Sequence, residues 1–284
     1  MSAPTASPND WPVRALGPAD WRDAVALTRL VGWHDAVHEW EVMASCASII
    51  GVRDAGGALR GTSALCDFGS VVSIAKVVVD PAFHRRGLGE RLLLETLALP
   101  HRADAIVMLI ATDLGRPLYL KHGFVDVAKL LTCGGVPPAA GPTAAIALDE
   151  RWLPEAIALD HLASGAARGT LVAARWRIAE SRAGIVRHGA LRAFGLRVAR
   201  GEAWLAGPVV AHDVSEAVDV LRALVPGDAR QGRVDVPTTQ PEFVAAARAM
   251  GFTEHTPRDE MTLGGRPMPG ERRMRFAPIA LAYG

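Results

Sequence analysis

The chain has 284 residues, with 31 lysines and arginines against 30 aspartates and glutamates, so its formal net charge at pH 7 is +1. A balance near zero argues against a dedicated nucleic-acid-binding protein, because phosphate binding requires an excess of lysine and arginine. Half of the residues are hydrophobic and 21% are charged. This composition is typical of a soluble globular protein with one large domain or two of about 140 residues.

The remaining composition excludes several other classes. The longest uncharged stretch, residues 130–148, contains three glycines and three prolines, which predicts a linker and not a membrane helix. The first residues lack the basic start and apolar core of a signal peptide. The three cysteines have no CxxC spacing, and the seven histidines from residue 84 onward have no HxH or HxxxH spacing, so neither a disulfide framework nor a metal site is expected. We expect a cytoplasmic protein without a membrane segment.

The first half of the chain is predicted to combine helices and strands. Residues 1–10, rich in proline, serine and alanine, are predicted to be disordered. A helix is predicted over residues 20–31 and another over residues 90–99, where apolar side chains recur at helical spacing. Apolar runs that end in glycine or proline turns predict the strands. They are expected near residues 49–52, 59–67, 71–79 and 105–111.

The second half repeats this order in a weaker form. After a predicted linker at residues 136–145, a strand ends at Val210, an amphipathic helix covers 214–224, and a strand and a helix follow. Gly123-Phe124 recurs 128 positions later as Gly251-Phe252. We therefore predict a tandem duplication, with domains at residues 11–135 and 146–265 and a tail at 266–284.

The motif that carries most chemistry joins a buried strand to a helix through two glycines. Backbone N–H groups converge at such a helix start, where the helix dipole attracts anions, and glycine allows close approach. The alternative is a tight turn with two solvated arginines. The flanking strand, helix and arginines together favour a diphosphate site. Its predicted ligand-binding residues are Val77, Val78, Val79, His84, Arg85, Arg86, Gly87, Leu88, Gly89 and Glu90.

This motif resembles the acetyl-CoA-binding signature of the GNAT superfamily of N-acetyltransferases. The family has arginine or glutamine at the first loop position, where this chain has His84. A second match runs from Leu118-Tyr119 to Gly123-Phe124 and is similar to the family's Leu-Tyr-x-x-x-Gly-Phe. Short matches in the second half resemble a bacterial subgroup with two GNAT-like halves, the second degenerate. The resemblance implies an α/β fold (an α+β mixed sheet), in which each half has a mixed central sheet flanked by helices.

The resemblance also implies the chemistry. Acetyl-CoA is expected to bind the glycine loop, with Thr112, Gly115 and Leu118 contributing. We expect it to bind in the first half only, because residues 212–217, 128 positions after the loop, have no glycine and include two carboxylates. Apart from the resemblance, we expect a small-molecule amine as the acceptor. Tyr119 matches the family's general acid, which protonates the leaving sulfur; its alternative role is that of a core tyrosine. The chain is expected to act as a monomer or a homodimer, without a nucleic-acid or membrane partner.

The general base is less defined by the sequence. Asp67, at the end of the strand before the glycine-loop strand, is one candidate, because a carboxylate there could accept a proton through water. His34, Asp35, His38 and Glu39 lie in the early helical region, although each is also typical of a solvated surface. Lys76 stands out in an apolar strand, where it either reaches solvent or faces an acidic substrate.

The sequence is also compatible with two other functions. A non-catalytic acyl-CoA-binding or sensing protein could keep the same loop, and the absence of an obvious base agrees with it. A protein-lysine acetyltransferase would require an acidic groove for a basic peptide, which a near-neutral chain does not indicate.

Overall fold

A computed structural model describes residues 10–33, 35–139, 141–255 and 257–284. The strands are β1 (Val13–Ala15), β2 (Ala47–Arg53), β3 (Leu59–Asp67), β4 (Val71–Val79), β5 (Ile106–Ala111), β6 (Phe124–Gly135), β7 (Ile146–Ala147), β8 (Ala179–Arg187), β9 (Ala190–Arg200), β10 (Ala203–Ala211), β11 (Gln231–Pro237), β12 (Thr253–Glu254), β13 (Arg258–Leu263) and β14 (Arg275–Ala277). The helices are α1 (Trp21–Leu30), α2 (Val37–Ala44), α3 (Leu88–Leu97), α4 (Arg116–Lys121), α5 (Leu153–Ser164), α6 (Gly169–Ile178), α7 (Val214–Leu224) and α8 (Pro241–Ala249).

These strands form one continuous mixed sheet, ordered β1-β2-β3-β4-β5-β13-β6-β11-β10-β9-β8-β7, with β12 beside β6 and β14 beside β10. Helices cover both faces, as the apolar run of β5 requires. On one face, α1 and α2 meet through the stacked rings of Trp21 and Trp40, whose centroids are 5.8 Å apart. On the other face, α3 buries Leu88, Leu92 and Leu93 against the sheet. No helix in the described ranges is long and apolar enough to cross a membrane.

The two halves of the chain share strands. β13, from the second half, lies between β5 and β6 of the first half, with Met261 opposite Leu109 on one side and Asp126 on the other. The last residues of β6 extend into the second half, where Val234 of β11 pairs with Cys133. The predicted linker at 136–145 therefore separates the halves along the chain, but the sheet joins them, because each half is completed by a strand of the other.

Part of the segment 266–284, predicted as a tail, belongs to the core: residues 274–279, 283 and 284 are buried, whereas residues 266–273 are partly or fully exposed. β14 pairs with β10, and the following Ile279 and Tyr283 are 0% and 3% exposed within the apolar core of the first half. Ser73 Oγ of β4 donates to the carbonyl of Ala282 at 3.0 Å. The tail prediction is therefore wrong for residues 274–284, where Phe276, Ile279 and Tyr283 supply buried surface that the basic residues before them do not indicate.

A buried ion pair fixes this segment to the exchanged strand. Glu260 of β13 is fully buried, and its Oε2 accepts from Nη2 of Arg275 at 2.5 Å, while Arg272 donates to Oε1. Burial by itself raises the pKa of Glu260, but the two guanidinium groups outweigh it and keep this pKa below its ordinary value. Glu260 is therefore the charged partner that Arg275, only 3% exposed, requires.

The variant Glu260→Gln should lower the free energy of unfolding by about 3–5 kcal/mol, because Arg275 is left buried without a counter-ion. Urea denaturation at neutral pH measures this change. Glu271→Gln is the matched control, since Glu271 and its partner Arg273 have side chains 50% and 76% exposed, and its cost should stay below about 1 kcal/mol. Equal losses in the two variants would contradict the role of Glu260.

Candidate active site

The site is built where β4 and β5 separate. These strands pair in parallel only from Val71 to Ser73, opposite Ile106 to Met108, and beyond that point they diverge. The register between β3 and β4 also shifts opposite this point. Lys76 lies there with a positive φ of 53°, and its carbonyl accepts from Thr62 Oγ1 at 2.9 Å. This bulge turns the second half of β4 away from β5 and opens a cleft between them.

The glycine loop continues from the far end of β4. His84 donates from Nε2 to the carbonyl of Val79 at 2.9 Å, which ties the loop to the strand. Asp80 accepts from the amide of Ala82 and from Arg60, at 2.9 and 2.6 Å. Gly87 caps α3 at a φ of 82°, a conformation that glycine adopts without strain. His84 thus supplies a hydrogen-bond donor where the family has arginine or glutamine.

The backbone amides of residues 86–90 have no backbone acceptor among the described residues. They surround the amino end of α3, where the helix dipole favours an anion. Arg85 and Arg86 are exposed beside them. These groups could hold an anion such as a diphosphate, and the binding site stays a prediction.

The other predicted loop residues act through the backbone or through packing. Val77 and Val79 are partly exposed and Val78 is buried, as expected for alternating residues of one strand. The Leu88 side chain is buried in the core and can offer a ligand only its amide. The Glu90 carboxylate binds Lys121 and His122 at 2.7 and 2.8 Å, so it connects α3 to α4 instead of facing a ligand.

The second motif places Tyr119 in the cleft. Thr112 Oγ1 accepts from the amide of Gly115 at 3.2 Å and so shapes the turn into α4. A Cβ at Gly115 would lie 3.0 Å from Cε2 of Tyr119, which explains why the ring needs glycine there. Leu118 packs near Gly89 and connects this turn to α3. Tyr119 is 8% exposed, and burial raises its pKa to about 12, so its hydroxyl is protonated at neutral pH.

The cleft encloses a cavity of about 480 Å³ to which both halves contribute. The first half contributes side chains of α2, β4, β5 and α4, Tyr119 among them. The second half and the C-terminal segment contribute Arg175, Arg200, Arg233, His255, Arg258 and residues 280–283. No local sequence motif marks these residues, because they come from separate elements that only the exchanged sheet brings together.

Four charged side chains form a network inside the cleft. Asp35 Oδ2 accepts from Lys76 Nζ at 2.5 Å, and Asp35 Oδ1 accepts from Arg200 Nη2 at 3.3 Å. Glu39 Oε1 lies 3.8 Å from Arg200 Nε. Burial by itself raises the pKa of Asp35, but Lys76 and Arg200 outweigh it and hold this pKa below its ordinary value. Lys76 therefore faces an acid of the protein itself, and its ammonium also lies 5.2 Å from the ring centroid of Trp33.

Asp67 lies outside this site. It is exposed at the β3–β4 turn, where Oδ1 accepts from the amide of Gly69 at 2.8 Å. It pairs with Val72, which is roughly 13 Å from Lys76 along the strand at ~3.3 Å per residue. The structure thus contradicts the prediction of Asp67 as the general base, because Asp67 is exposed at the turn and is not among the residues that line the cleft. Among the alternatives, Asp35 and Glu39 line the cleft, and His34 is outside the described residues.

Sequence comparison agrees with the fold and the motifs. A profile described as an acetyltransferase (GNAT) domain matches residues 46–126, and a second with the same description matches residues 156–277. The chain is 27% identical over 229 residues to the uncharacterized N-acetyltransferase YitH of Bacillus subtilis (strain 168), which covers 78% of this chain and 80% of YitH. This chain belongs to the GNAT acetyltransferase family. It carries two GNAT domains in tandem.

Solved structures of other proteins have a similar fold over nearly the whole chain. A candidate acetyltransferase from Pyrococcus horikoshii aligns over 100% of this chain and 99% of its own, with a TM-score of 0.81 and 18% identity. A tandem GNAT protein from the clavulanic acid biosynthesis pathway aligns over 92% of this chain and 100% of its own, with a TM-score of 0.65 and 18% identity. At these identities the likeness concerns the fold alone.

The second GNAT domain differs at the position of the glycine loop. Asp213 caps α7, and its Oδ1 accepts from the amide of Glu216 at 2.9 Å, so a carboxylate of the protein occupies this helix start. β10 and β11 pair in parallel from Ala203 to Ala206 and then separate, as β4 and β5 do. There β14 pairs with Val209 and Val210 of β10. The opening that forms the cleft in the first domain is filled in the second.

The variant Asp35→Asn should destabilise the protein by about 3–5 kcal/mol at pH 7, because Lys76 and Arg200 lose their charged partner. The folded-state pKa of Asp35 lies below the unfolded value of about 3.9, so its contribution is present above that pH and is lost as the pH falls through the folded-state pKa. Denaturation from pH 7 to pH 3 should show the parent and the variant converging, and a difference independent of pH would contradict the ion pair. Asp104→Asn, which removes an exposed partner of Arg102, is the control and should have little effect.

Proposed function

We propose that this protein is an acetyl-CoA-dependent N-acetyltransferase that uses its first domain to acetylate a small primary amine. The observation that carries the proposal is that one strand, β4, connects the charged cleft to the glycine loop. Beyond Ser73, where β5 separates from it, β4 leads from the charged cleft at Lys76 to a helix start with free amides at residues 86–90. An extended molecule with a diphosphate at one end and an acyl group at the other fits this path.

The residues present fit acetyl-CoA in three respects. The amides at the start of α3 and the exposed Arg85 and Arg86 suit the diphosphate. The edge of β4 beyond Ser73 has no strand partner towards β5, so its backbone groups are available to amides of the cofactor. Tyr119 lies in the same cavity as the diverging strands. When bound, acetyl-CoA supplies an acetyl group activated as a thioester.

Transfer forms a C–N bond to the acceptor and breaks the C–S bond, so nitrogen loses a proton and sulfur gains one. Tyr119, with a pKa of about 12, is a weaker acid than a thiol with a pKa of about 8.5. Full proton transfer from Tyr119 would therefore be unfavourable. Its hydroxyl stabilises the leaving sulfur by donating a hydrogen bond, and the sulfur takes its final proton from solvent. This modifies the general-acid role implied by the sequence.

Asp35 and Glu39 differ in their capacity to accept the proton from the acceptor nitrogen. Asp35 already binds two cations, which lower its pKa. Glu39 Oε2 accepts from the amide of Ala36 at 3.3 Å, but Oε1 is 3.8 Å from Arg200 and has no closer partner among the described residues. We therefore assign the role of base to Glu39, through direct contact or one water.

A steady-state assay of thiol release over a library of amines tests the proposal. Release that depends on both acetyl-CoA and an amine is expected. Tight CoA binding without release for any amine would favour the acyl-CoA-sensing alternative instead.

The variant Gly87→Val should weaken CoA binding roughly 10- to 100-fold, the worth of one hydrogen bond to a charged group. Valine disfavours the φ of 82° and displaces the amides of the loop. Gly57→Val is the matched control, because Gly57 has a φ of 83° in a turn remote from the loop. Calorimetry should give one CoA per chain for the parent, since Asp213 occupies the second helix start. Two equivalents, or equal affinity for parent and Gly87→Val, would contradict the assignment.

The variant Tyr119→Phe should lower kcat by roughly 10²–10³, the effect of removing one donor aimed at developing negative charge. Affinity for CoA and the melting temperature should change little, because the ring and its edge contact with Phe124 remain. Both quantities are measured on one preparation. A purely structural tyrosine would instead lose stability and keep its turnover, and kcat within threefold of the parent would exclude Tyr119 from the chemistry.

A further inference from the structure

Arg175 is a buried cation without a counter-ion in the part of the chain that the structure describes. It lies in α6, is 1% exposed, and lines the cleft. Among the described residues, its Nε and Nη1 have no hydrogen-bond partner, and no carboxylate forms an ion pair with it. Its guanidinium lies 5.6 Å from the ring centroid of Tyr283, a contact that leaves the N–H donors free. A charge buried in this way is strongly unfavourable unless something pairs with it.

The other charges of the cleft are already matched. Asp35 pairs with Lys76 and Arg200. Arg233 Nε binds Asp235 Oδ1 at 2.9 Å, and Arg258 Nη1 lies 3.3 Å from Asp113 Oδ2.

Glu39 is the other carboxylate that lines the cleft, and it lies beside Arg200, whose Nε is also buried without a hydrogen-bond partner among the described residues. The inner cleft thus has three cations, Lys76, Arg175 and Arg200, against two carboxylates. The excess is one positive charge, and the N–H donors without a hydrogen-bond partner among the described residues belong to Arg175 and Arg200.

We infer that the acceptor is a small amine that also carries a carboxylate, and that Arg175 binds this carboxylate. The inference rests on the proposed N-acetyltransferase function and specifies its substrate class. A guanidinium presents two parallel N–H donors that match the two oxygens of a carboxylate, and one anion balances the excess charge. The amine end would then lie towards Tyr119 and the diverging end of β4, which line the same cavity.

The size of the cavity agrees with a small acceptor. The volume of about 480 Å³ must hold both the acyl end of the cofactor and the acceptor. Ligand cavities of about 300–1,000 Å³ enclose molecules of drug size or smaller. An amino carboxylate of a few carbon atoms fits the volume that remains beside the acyl end of the cofactor. Arg175 distinguishes this acceptor from amines that lack a carboxylate.

The first test compares matched acceptors in the thiol-release assay. The probes are α-, β-, γ- and ω-amino carboxylates, each with its carboxamide, its decarboxylated amine and its aminophosphonate. The free acids should be acetylated, and the amides and decarboxylated amines should be poorer by roughly 10²- to 10³-fold in kcat/KM. Acetylation of neutral amines as efficiently as of the acids, or a preference for phosphonates, would overturn the inference while the proposed function stands. No release from any amine would overturn both.

The second test separates binding from a structural role. Arg175→Met should abolish the preference for acids over amides and raise KM for the acids about 100-fold or more, while the melting temperature stays equal or rises. Arg177→Met, in the same helix but exposed, is the matched control and should resemble the parent. A lower melting temperature with the preference intact would show Arg175 to be structural and would overturn the inference.

A conservative variant covers the possibility that Arg175→Met does not fold. Arg175→Lys keeps the charge but loses the paired donors, so the acid preference should fall and remain above one. An unchanged preference in Arg175→Lys would overturn the paired contact with a carboxylate.

Discussion

The site depends on the backbone hydrogen bonds that β13, from the second half of the chain, makes with β5 and β6 of the first half. β5 and β6 do not pair with each other; β13 lies between them and satisfies the facing edges of both. Lys129 and Asp259, 130 residues apart along the chain, meet across this contact at 2.6 Å. Because unpaired strand edges are unfavourable in a buried sheet, the first half cannot be completed without the second. The exchanged strand thus joins the two repeats into a single sheet.

This exchange explains why residues of both halves meet in one cleft. β13 and the C-terminal segment bring Arg258 and residues 280–283 against the opening between β4 and β5. α6 brings Arg175 to the same place, since Leu171 and Val172 of α6 are buried in the apolar core of the first half. The second domain contributes lining residues and charged side chains to a site in the first domain. Its own opening is filled by β14, and its helix start by Asp213.

Three buried arginines and a lysine can be compared by whether a carboxylate pairs with each of them. Arg275 and Lys76 are each matched by a carboxylate, Glu260 and Asp35, and in both cases the cations keep the carboxylate pKa low. Arg168 is matched by Asp160, with Nη2 to Oδ1 at 2.7 Å. Arg175 is equally buried and has no such partner among the described residues. The contrast within one molecule is what makes Arg175 informative about the acceptor.

The sequence by itself determined most helices and strands of the first half and the glycine turn that starts α3. The strands at 59–67 and 71–79 form as predicted, and the glycine loop starts a helix with free amides. Such features are local, because alternation, glycine conformation and helix starts depend on neighbouring residues. Only the tertiary structure decided the strand exchange, the burial of residues 275–284, the exclusion of Asp67 and the cluster around Arg175. Each depends on contacts between residues distant in sequence, and a basic segment such as Arg272–Met274 has the same local pattern whether its arginines meet solvent or Glu260.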